Sequence, residues 1–321
     1  MSGMTTANTE HLIRAELYSA TLKEILRDEM MAQRFVQMLQ GFPDGNTFTI
    51  PSIGQLTVRD YVEDTAIQYS PLDTGEFQFS ITEYLSSATY ITKKQMQDSY
   101  YSQMLISKFV PEMERAIMEH FELTTLATPE AGVSANSNET IDGFEHRWAA
   151  GGSGAVITIQ DFARARYVLK KANVPDRNLI ALVDPSVEYT LNTLTNLVSV
   201  SDNPRWEGII SEGIATGTKF VKNVYGFDVY TTNYLPTITD GALPDAANNN
   251  VDFSSVNGKA NLFFSADASV TPFVGAWRQM PEVDYEYNKD FQRHEYLTTA
   301  RYGVKLYRPE NMVRVASKTN V

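Results

Sequence analysis

Ser153 sits in Gly151-Gly152-Ser153-Gly154-Ala155, close to the glycine-flanked serine of a nucleophile elbow, where a strained strand-to-helix turn presents a hydroxyl to a general base. Ala155 stands where the second glycine belongs, and the surrounding run is Gly-rich, so the segment reads as a linker. Gly213-Ile214-Ala215-Thr216-Gly217-Thr218-Lys219 has the residue types of a phosphate loop, but only three residues separate its glycines and a threonine precedes the lysine. The four histidines, His11, His120, His146 and His294, are scattered, and His294-Glu295-Tyr296-Leu297-Thr298 lacks the second histidine of a zinc-binding helix. Asp60, Glu63 and Asp64 have the oxygen ligands a hard cation takes. Three carboxylates on one exposed strand more often form a solvated edge that repels wrong pairing. The expectation is no catalytic residue, no cofactor site and no metal site.

Composition narrows the class. A chain of 321 residues, 43% hydrophobic and 21% charged, buries one substantial core or two smaller ones. Zero cysteines exclude disulfides, thiolate metal sites and a cysteine nucleophile, and fit a cytosolic product. Met1-Ser2-Gly3-Met4-Thr5-Thr6 has neither a basic nor an apolar signal-peptide region, and no stretch approaches the roughly 18 apolar residues of a membrane span. Export by a signal peptide and insertion in a membrane are therefore not expected. Lys and Arg total 27 against 39 Asp and Glu, and the net charge of −12 disfavours a general nucleic-acid binder, which would repel phosphate.

Residues 9–40 read as one or two amphipathic helices, capped at Asn8 or Thr9, with Leu12, Ile13, Leu17, Leu22, Ile25 and Leu26 on one face and a solvated face of alternating charge. Next come two β-prone runs, Thr47 to Tyr69 and Phe77 to Thr92, flanking the turn Pro71-Leu72-Asp73-Thr74-Gly75, a long hairpin whose middle, Arg59 to Asp64, is charged and exposed. Two strands alone are marginal in water, so this ribbon needs another surface to lie on.

From Lys93 to Leu126 a four-residue spacing joins Tyr101, Leu105, Phe109, Met113, Ile117 and Phe121 into one apolar stripe, predicting a helix of about 45 Å at 1.5 Å per residue. Pro111 should bend or break it near 107–111. Residues 127–156 read as a long loop, followed by a helix capped at Thr158 and ending near Asn173, a buried strand Leu179 to Val183 stopped at Asp184-Pro185, and a helix from Ser186 to about Leu194. Val224 to Tyr230 and Leu262 to Phe264 read as strands separated by a surface loop, Pro236 to Lys259. The tail from Tyr285 to Val315 alternates as strands, with a bulge or bend at Gly303.

Taken in order, these elements resemble the major capsid protein of tailed bacteriophages, the Hong Kong 97-like fold. The resemblance is carried by the hairpin and its turn, the spine helix 93–126, Leu179-Ile180-Ala181-Leu182-Val183-Asp184-Pro185, Tyr225-Gly226-Phe227-Asp228-Val229-Tyr230 with Asn233-Tyr234-Leu235-Pro236, and Tyr302-Gly303-Val304-Lys305-Leu306-Tyr307-Arg308-Pro309-Glu310. It implies an α+β chain with an N-terminal arm (1–44), an extended hairpin loop (45–92), a peripheral domain with the spine helix (93–178), an axial domain (179–272) and return strands completing both (273–321).

Such a chain is no enzyme. The resemblance implies self-assembly into hexamers and pentamers of an icosahedral viral shell around double-stranded DNA, and an acidic container holds DNA without gripping it. The implied partners are further copies, a separate scaffolding protein, a portal and a cement or decoration protein, with no membrane. Assembly would take place in the host cytoplasm and the product would reside in the virion. Some members weld their shells through a lysine in the hairpin, whereas here no lysine lies between Lys23 and Lys93. An encapsulin-like nanocompartment shell is the alternative of the same fold, and an α/β enzyme the alternative of another class.

Overall fold

A computed structural model describes residues 30–39, 47–53, 58, 60, 63, 64, 66, 74–98, 102–193, 220–238, 241–245, 249–253 and 258–318. A short 3-10 turn, Ala32–Phe35, leads into β1 (Val36–Met38). Then follow β2 (Thr47–Ile53), β3 (Thr74–Ser80), β4 (Glu83–Thr92), α1 (Lys93–Asp98) and α2 (Ser102–Ala127). β5 (Thr140–Ile141), β6 (Phe144–Glu145) and β7 (Arg147–Ala149) precede α3 (Ile159–Lys171), β8 (Leu179–Val183) and α4 (Pro185–Thr193). β9 (Phe220–Val224), β10 (Phe227–Thr231), β11 (Thr237–Ile238), β12 (Ala242–Pro244), β13 (Asn250–Asp252) and β14 (Gly258–Ser265) come next, and β15 (Phe273–Asn288), β16 (Arg293–Leu306) and β17 (Met312–Lys318) close the chain.

Two sheets organise most of these strands, and β2–β3, β5–β6 and β12–β13 form separate two-stranded pairs. The smaller sheet runs β1-β15-β16-β4. The larger runs β7-β17-β14-β8-β10-β9, with β11 added beside β14, and so takes β7 from before residue 179 and β17 from after residue 273.

β8 explains how the two sheets share a core. All five of its residues are buried, because both faces of the strand are covered. Leu179, Ala181 and Val183 pack with Phe162, Ala165, Val168 and Leu169 of α3 and with Val187 and Leu191 of α4. Ile180 and Leu182 point the other way, into a cluster with Phe121 and Leu126 of α2, Phe35, Phe273 and Tyr302. At about 1.5–3 kcal/mol for each large apolar side chain removed from water, these two clusters dominate the folding energy.

Several expectations are corrected. The helix read over 9–40 does not reach residue 40: Ala32–Phe35 is a single tight turn and Val36–Met38 pairs in parallel with Phe273 to Gly275. Its residues before 30 lie outside the described residues. The run Phe77 to Thr92 is not one hairpin strand. β3 ladders with β2, from Thr47 opposite Ser80 to Ile53 opposite Thr74, whereas β4 pairs with β16. Thr74 and Gly75 thus belong to a strand and not to the turn. Pro111 neither ends nor breaks α2, which continues through it. The ring lies on the exposed side, while Met113, Ile117 and Phe121 are buried and hold the helix to the smaller sheet.

The expected loop 127–156 contains β5, β6 and β7, with Trp148 wholly buried. The expected strand Val224 to Tyr230 is a hairpin, since Tyr225 and Gly226 have φ of 51° and 88° and turn β9 into β10. Two consecutive positive φ values make this the tight turn that matches strand twist. The expected surface loop 236–259 forms β11, β12 and β13 over a small core of Ile238, Leu243 and Phe253. Gly303 lies inside a regular β16, and the register shifts fall on β15 between Trp277 and Glu282. A Cβ at position 303 would meet the Ser80 carbonyl oxygen at 2.7 Å, so close approach of the hairpin base explains that glycine. The start of α3 at Thr158 is as expected, and Asp161, which the sequence alone does not single out, braces it by accepting the Thr158 N–H and hydroxyl, both at 2.8 Å.

Candidate assembly interface

The motifs with chemical promise resolve into structural roles. Gly151 to Ala155 forms a turn closed by Gly152 N–H on Val156 O (3.0 Å) and Ala155 N–H on Gly152 O (2.9 Å), leaving Ser153 exposed. The adjacent carboxylate, Asp161, accepts from Thr158 N–H (2.8 Å), Gly151 N–H and the Trp148 indole (both 3.3 Å), so it braces the turn and is not poised as part of a triad. His120 contacts the Tyr302 hydroxyl at 2.8 Å and ties α2 to β16. His146 is buried and donates from Nδ1 to Met312 O at 2.9 Å. His294 packs among Tyr285 and Tyr287 at the far end of the β15–β16 hairpin. Asp60, Glu63 and Asp64 are exposed. His11 and the segment Gly213 to Lys219 lie outside the described residues. Among the described residues, no three His, Asp or Glu side chains converge on a common centre.

Charged groups inside the body act as fasteners. Arg147 and Arg314, each 3% exposed, converge on Glu130 just after α2. Arg147 reaches Glu130 at 3.0 Å and donates to Ala135 O and Ser137 O at 2.9 Å, which shapes the chain between α2 and β5. Arg314 pairs with Glu139 and donates to Pro129 O. Burial pushes its pKa down and Glu130 opposes that shift. Two buried cations are tolerated here because each is met by carboxylates and carbonyls. At the other end of the core, Glu122 is 1% exposed and accepts from the N–H groups of Met31 and Ala32.

Against this rigid body, two features face outwards. The first is the β2–β3 hairpin. Its base is held by Phe79, Ile81, Val274 and Ala276 with Phe77 and Tyr307, and its described outer residues Val58, Asp60, Glu63, Asp64 and Ala66 are exposed. The second is the face of the smaller sheet turned away from α2. Phe109 packs on Tyr296 (5.1 Å) and Phe121 on Tyr302 (5.1 Å), which assigns those side chains to the inner face. Tyr84, Ala88 and Tyr90 oppose Arg301, Leu297 and Glu295, so this alternate set occupies the outer face, where Tyr84 is 67% and Tyr90 57% exposed. Arg293 lies over the rings of Tyr90 (4.6 Å) and Phe291 (4.7 Å), a cation held by two aromatic groups.

A sequence profile described as phage capsid protein matches residues 76–315, from β3 to β17. The chain belongs to the phage capsid protein family. Solved capsid structures share its fold across almost the whole chain. A capsid structure of the cyanophage P-SCSP1u superposes with a TM-score of 0.70 at 15% identity, over 98% of this chain and 94% of that one. The asymmetric unit of the mature capsid of bacteriophage PhiM1 gives 0.68 at 12% identity, over 96% and 93%. A chain of Mycobacterium phage Che8 gives 0.66 at 14%, over 94% and 96%. No curated protein sequence matches.

The chain thus has the Hong Kong 97-like fold of tailed-phage capsid proteins, and it is a structural capsid protein, not an enzyme. For a capsid protein the functional residues are those that meet other copies. The sequence places the hairpin but not the outer sheet face, because Phe77 to Thr92 reads as one continuous hairpin strand. The alternation of Tyr84, Ser86, Ala88 and Tyr90 carried that information, but assigning it a face needed the register with β16.

Proposed function

We propose that this capsid protein assembles as hexamers and pentamers into a closed icosahedral shell around double-stranded DNA, with the β2–β3 hairpin reaching over a neighbouring copy. The observation that carries the reading is the hairpin, which is packed at its base and exposed beyond it. The smaller sheet with α2 serves as the peripheral part and the larger sheet as the axial part. A net charge of −12 favours a container that encloses DNA without sequence-specific contacts. Assembly takes place in the host cytoplasm with a separate scaffolding protein and a portal, and a cement protein adds to the finished virion shell.

The test is to express the chain with and without residues 54–73, replaced by a short Gly-Ser linker that preserves the ladder from Thr47 to Ile53 and from Thr74 to Ser80. The intact chain should give closed particles by electron microscopy. The shortened chain should keep the same circular dichroism and form none; normal particles from it would remove the hairpin's role.

A further inference from the structure

β4 is the margin of the smaller sheet, and among the described residues its ten residues pair with β16 alone, so the opposite backbone edge is open. An open row of N–H and C=O groups is a template for another strand, and folded proteins blunt such rows with shortness, charge, proline or a cover. The other margins are blunted in these ways. β1 and β7 are three residues long. β9 carries Lys222 and pairs with β10 through an irregular register. β2 contains Pro51, and β3 contains Glu76. β4 has a single such device, Glu83 at its first residue, and none over the nine residues that follow. Tyr84-Leu85-Ser86-Ser87-Ala88-Thr89-Tyr90-Ile91-Thr92 is β-prone and has no charge, proline or glycine, in a chain of net charge −12.

We propose that β4 pairs with β4 of a second copy, antiparallel about a two-fold axis at Ser87, so that two four-stranded sheets become one. The inference rests on the capsid reading only in that copies meet. Two chains of the same net charge approach at least cost through an uncharged margin. The sequence is also complementary to itself. Centring on Ser87 sets Tyr84 against the partner's Tyr90 twice, both on the outer face, Ser86 against the partner's Ala88, and Leu85 against the partner's Thr89. Directly opposed aromatic side chains favour that register over its neighbours. An axis perpendicular to the sheet makes the contact isologous and leaves α2 of both copies on the same face of the joined sheet, where each already packs on its own β4.

The chain contains no cysteine, so introduced thiols report cleanly. Copies carrying Ser86→Cys are mixed with copies carrying Ala88→Cys and oxidised, both in concentrated solution and in particles. The mixture should give a dimer band at least five times stronger than either variant alone. In parallel, Ser86→Lys/Ala88→Lys sets lysine against lysine across the axis, whereas Ser86→Glu/Ala88→Lys sets glutamate against lysine. Positions 86 and 88 are exposed, so both pairs leave the subunit folded. The double lysine should lower the associated fraction at least tenfold, and the glutamate–lysine pair should restore it. Equal association of the two, or no preferential cross-link in the mixture, overturns the pairing. So does a stronger cross-link between Ala88→Cys and Thr49→Cys of the hairpin. The dimer band is read on subunits as well as particles, so a wild-type chain that forms no shells counts against the function proposed above and leaves this result standing.

Discussion

The carboxylate of Glu122, on the spine helix, accepts the backbone N–H of Ala32 at 2.7 Å, with the Met31 N–H at 3.0 Å on its other oxygen. One buried acid thereby caps a turn 90 residues away in sequence. β1 continues from that turn into the smaller sheet, and Thr271 donates to Phe35 O at 2.5 Å. The chain from Met31 to Met38 is therefore fastened at both ends, by Glu122 and by β15.

Glu122→Gln should weaken this fastening, since the amide offers one acceptor where two are needed and turns an N–H towards another N–H. The expected loss is about 2–3 kcal/mol of subunit stability, with earlier proteolysis around residues 30–39. An unchanged denaturation midpoint together with unchanged proteolysis would contradict it.

Phe121→Ala removes a wholly enclosed ring that stacks on Trp277 at 4.9 Å and meets Tyr302 edge-on at 5.1 Å. A loss of about 3–5 kcal/mol is expected in chemical denaturation, the range for emptying an aromatic site in a packed core. A smaller loss would mean that α2 closes onto β15 and fills the space.

The spine stripe, the α3 cap and the buried strand 179–183 were legible because each is a local pattern with a local cause. Phe109, Met113 and Phe121 repeat at helical spacing, Thr158 is a capping residue, and five consecutive apolar residues signal a doubly covered strand. What failed depends on distant partners. Thr82 separates a strand laddered with Thr47 to Ile53 from one laddered with Arg293 to Tyr302, and neither partner is visible from the residues between 77 and 92. Likewise Trp148 becomes a core residue only when β17 returns to pair with it. The hairpin part of the candidate interface followed from composition, whereas the open edge of β4 followed only from sheet order.

Pro111→Ala should stabilise the subunit by about 1–3 kcal/mol, because α2 runs unbroken through a residue that lacks the helical N–H donor and crowds the preceding turn. Particles of unchanged diameter are expected alongside the higher melting temperature. A variant that melts lower would show that the proline sets a geometry the fold requires.

Stability should fall in mild acid through His146. Burial holds its pKa below the ordinary imidazole value, while the Met312 carbonyl and the carboxylates of Glu310 and Asp142 pull the other way. The unfolded chain then binds a proton at higher pH than the folded one, so the neutral ring's contribution is complete above about 6.5 and declines as pH drops below that value. His146→Gln should flatten this part of the profile. Denaturation midpoints between pH 7 and pH 5 that slope equally in both proteins would assign the acid sensitivity elsewhere.

Finished shells should be held together without covalent links. The chain has no cysteine, and no lysine lies between Lys23 and Lys93. Boiled particles should run in denaturing gels as one band near 36.0 kDa. A ladder of multiples would demand a bond between other side chains.

Gly303 makes the hairpin a lever with a fixed fulcrum. A side chain there would press on the Ser80 carbonyl at 2.7 Å and on the Ile81 Cα at 3.0 Å, both backbone atoms that cannot swing aside. Relief requires the backbone at Ser80 and Ile81 to move relative to β16, and the β2–β3 ribbon moves with it. The displacement produced by one methyl group then grows in proportion to distance from the pivot. In the assembly proposed above, the direction in which the hairpin projects is thus set by a hydrogen atom in the interior of β16.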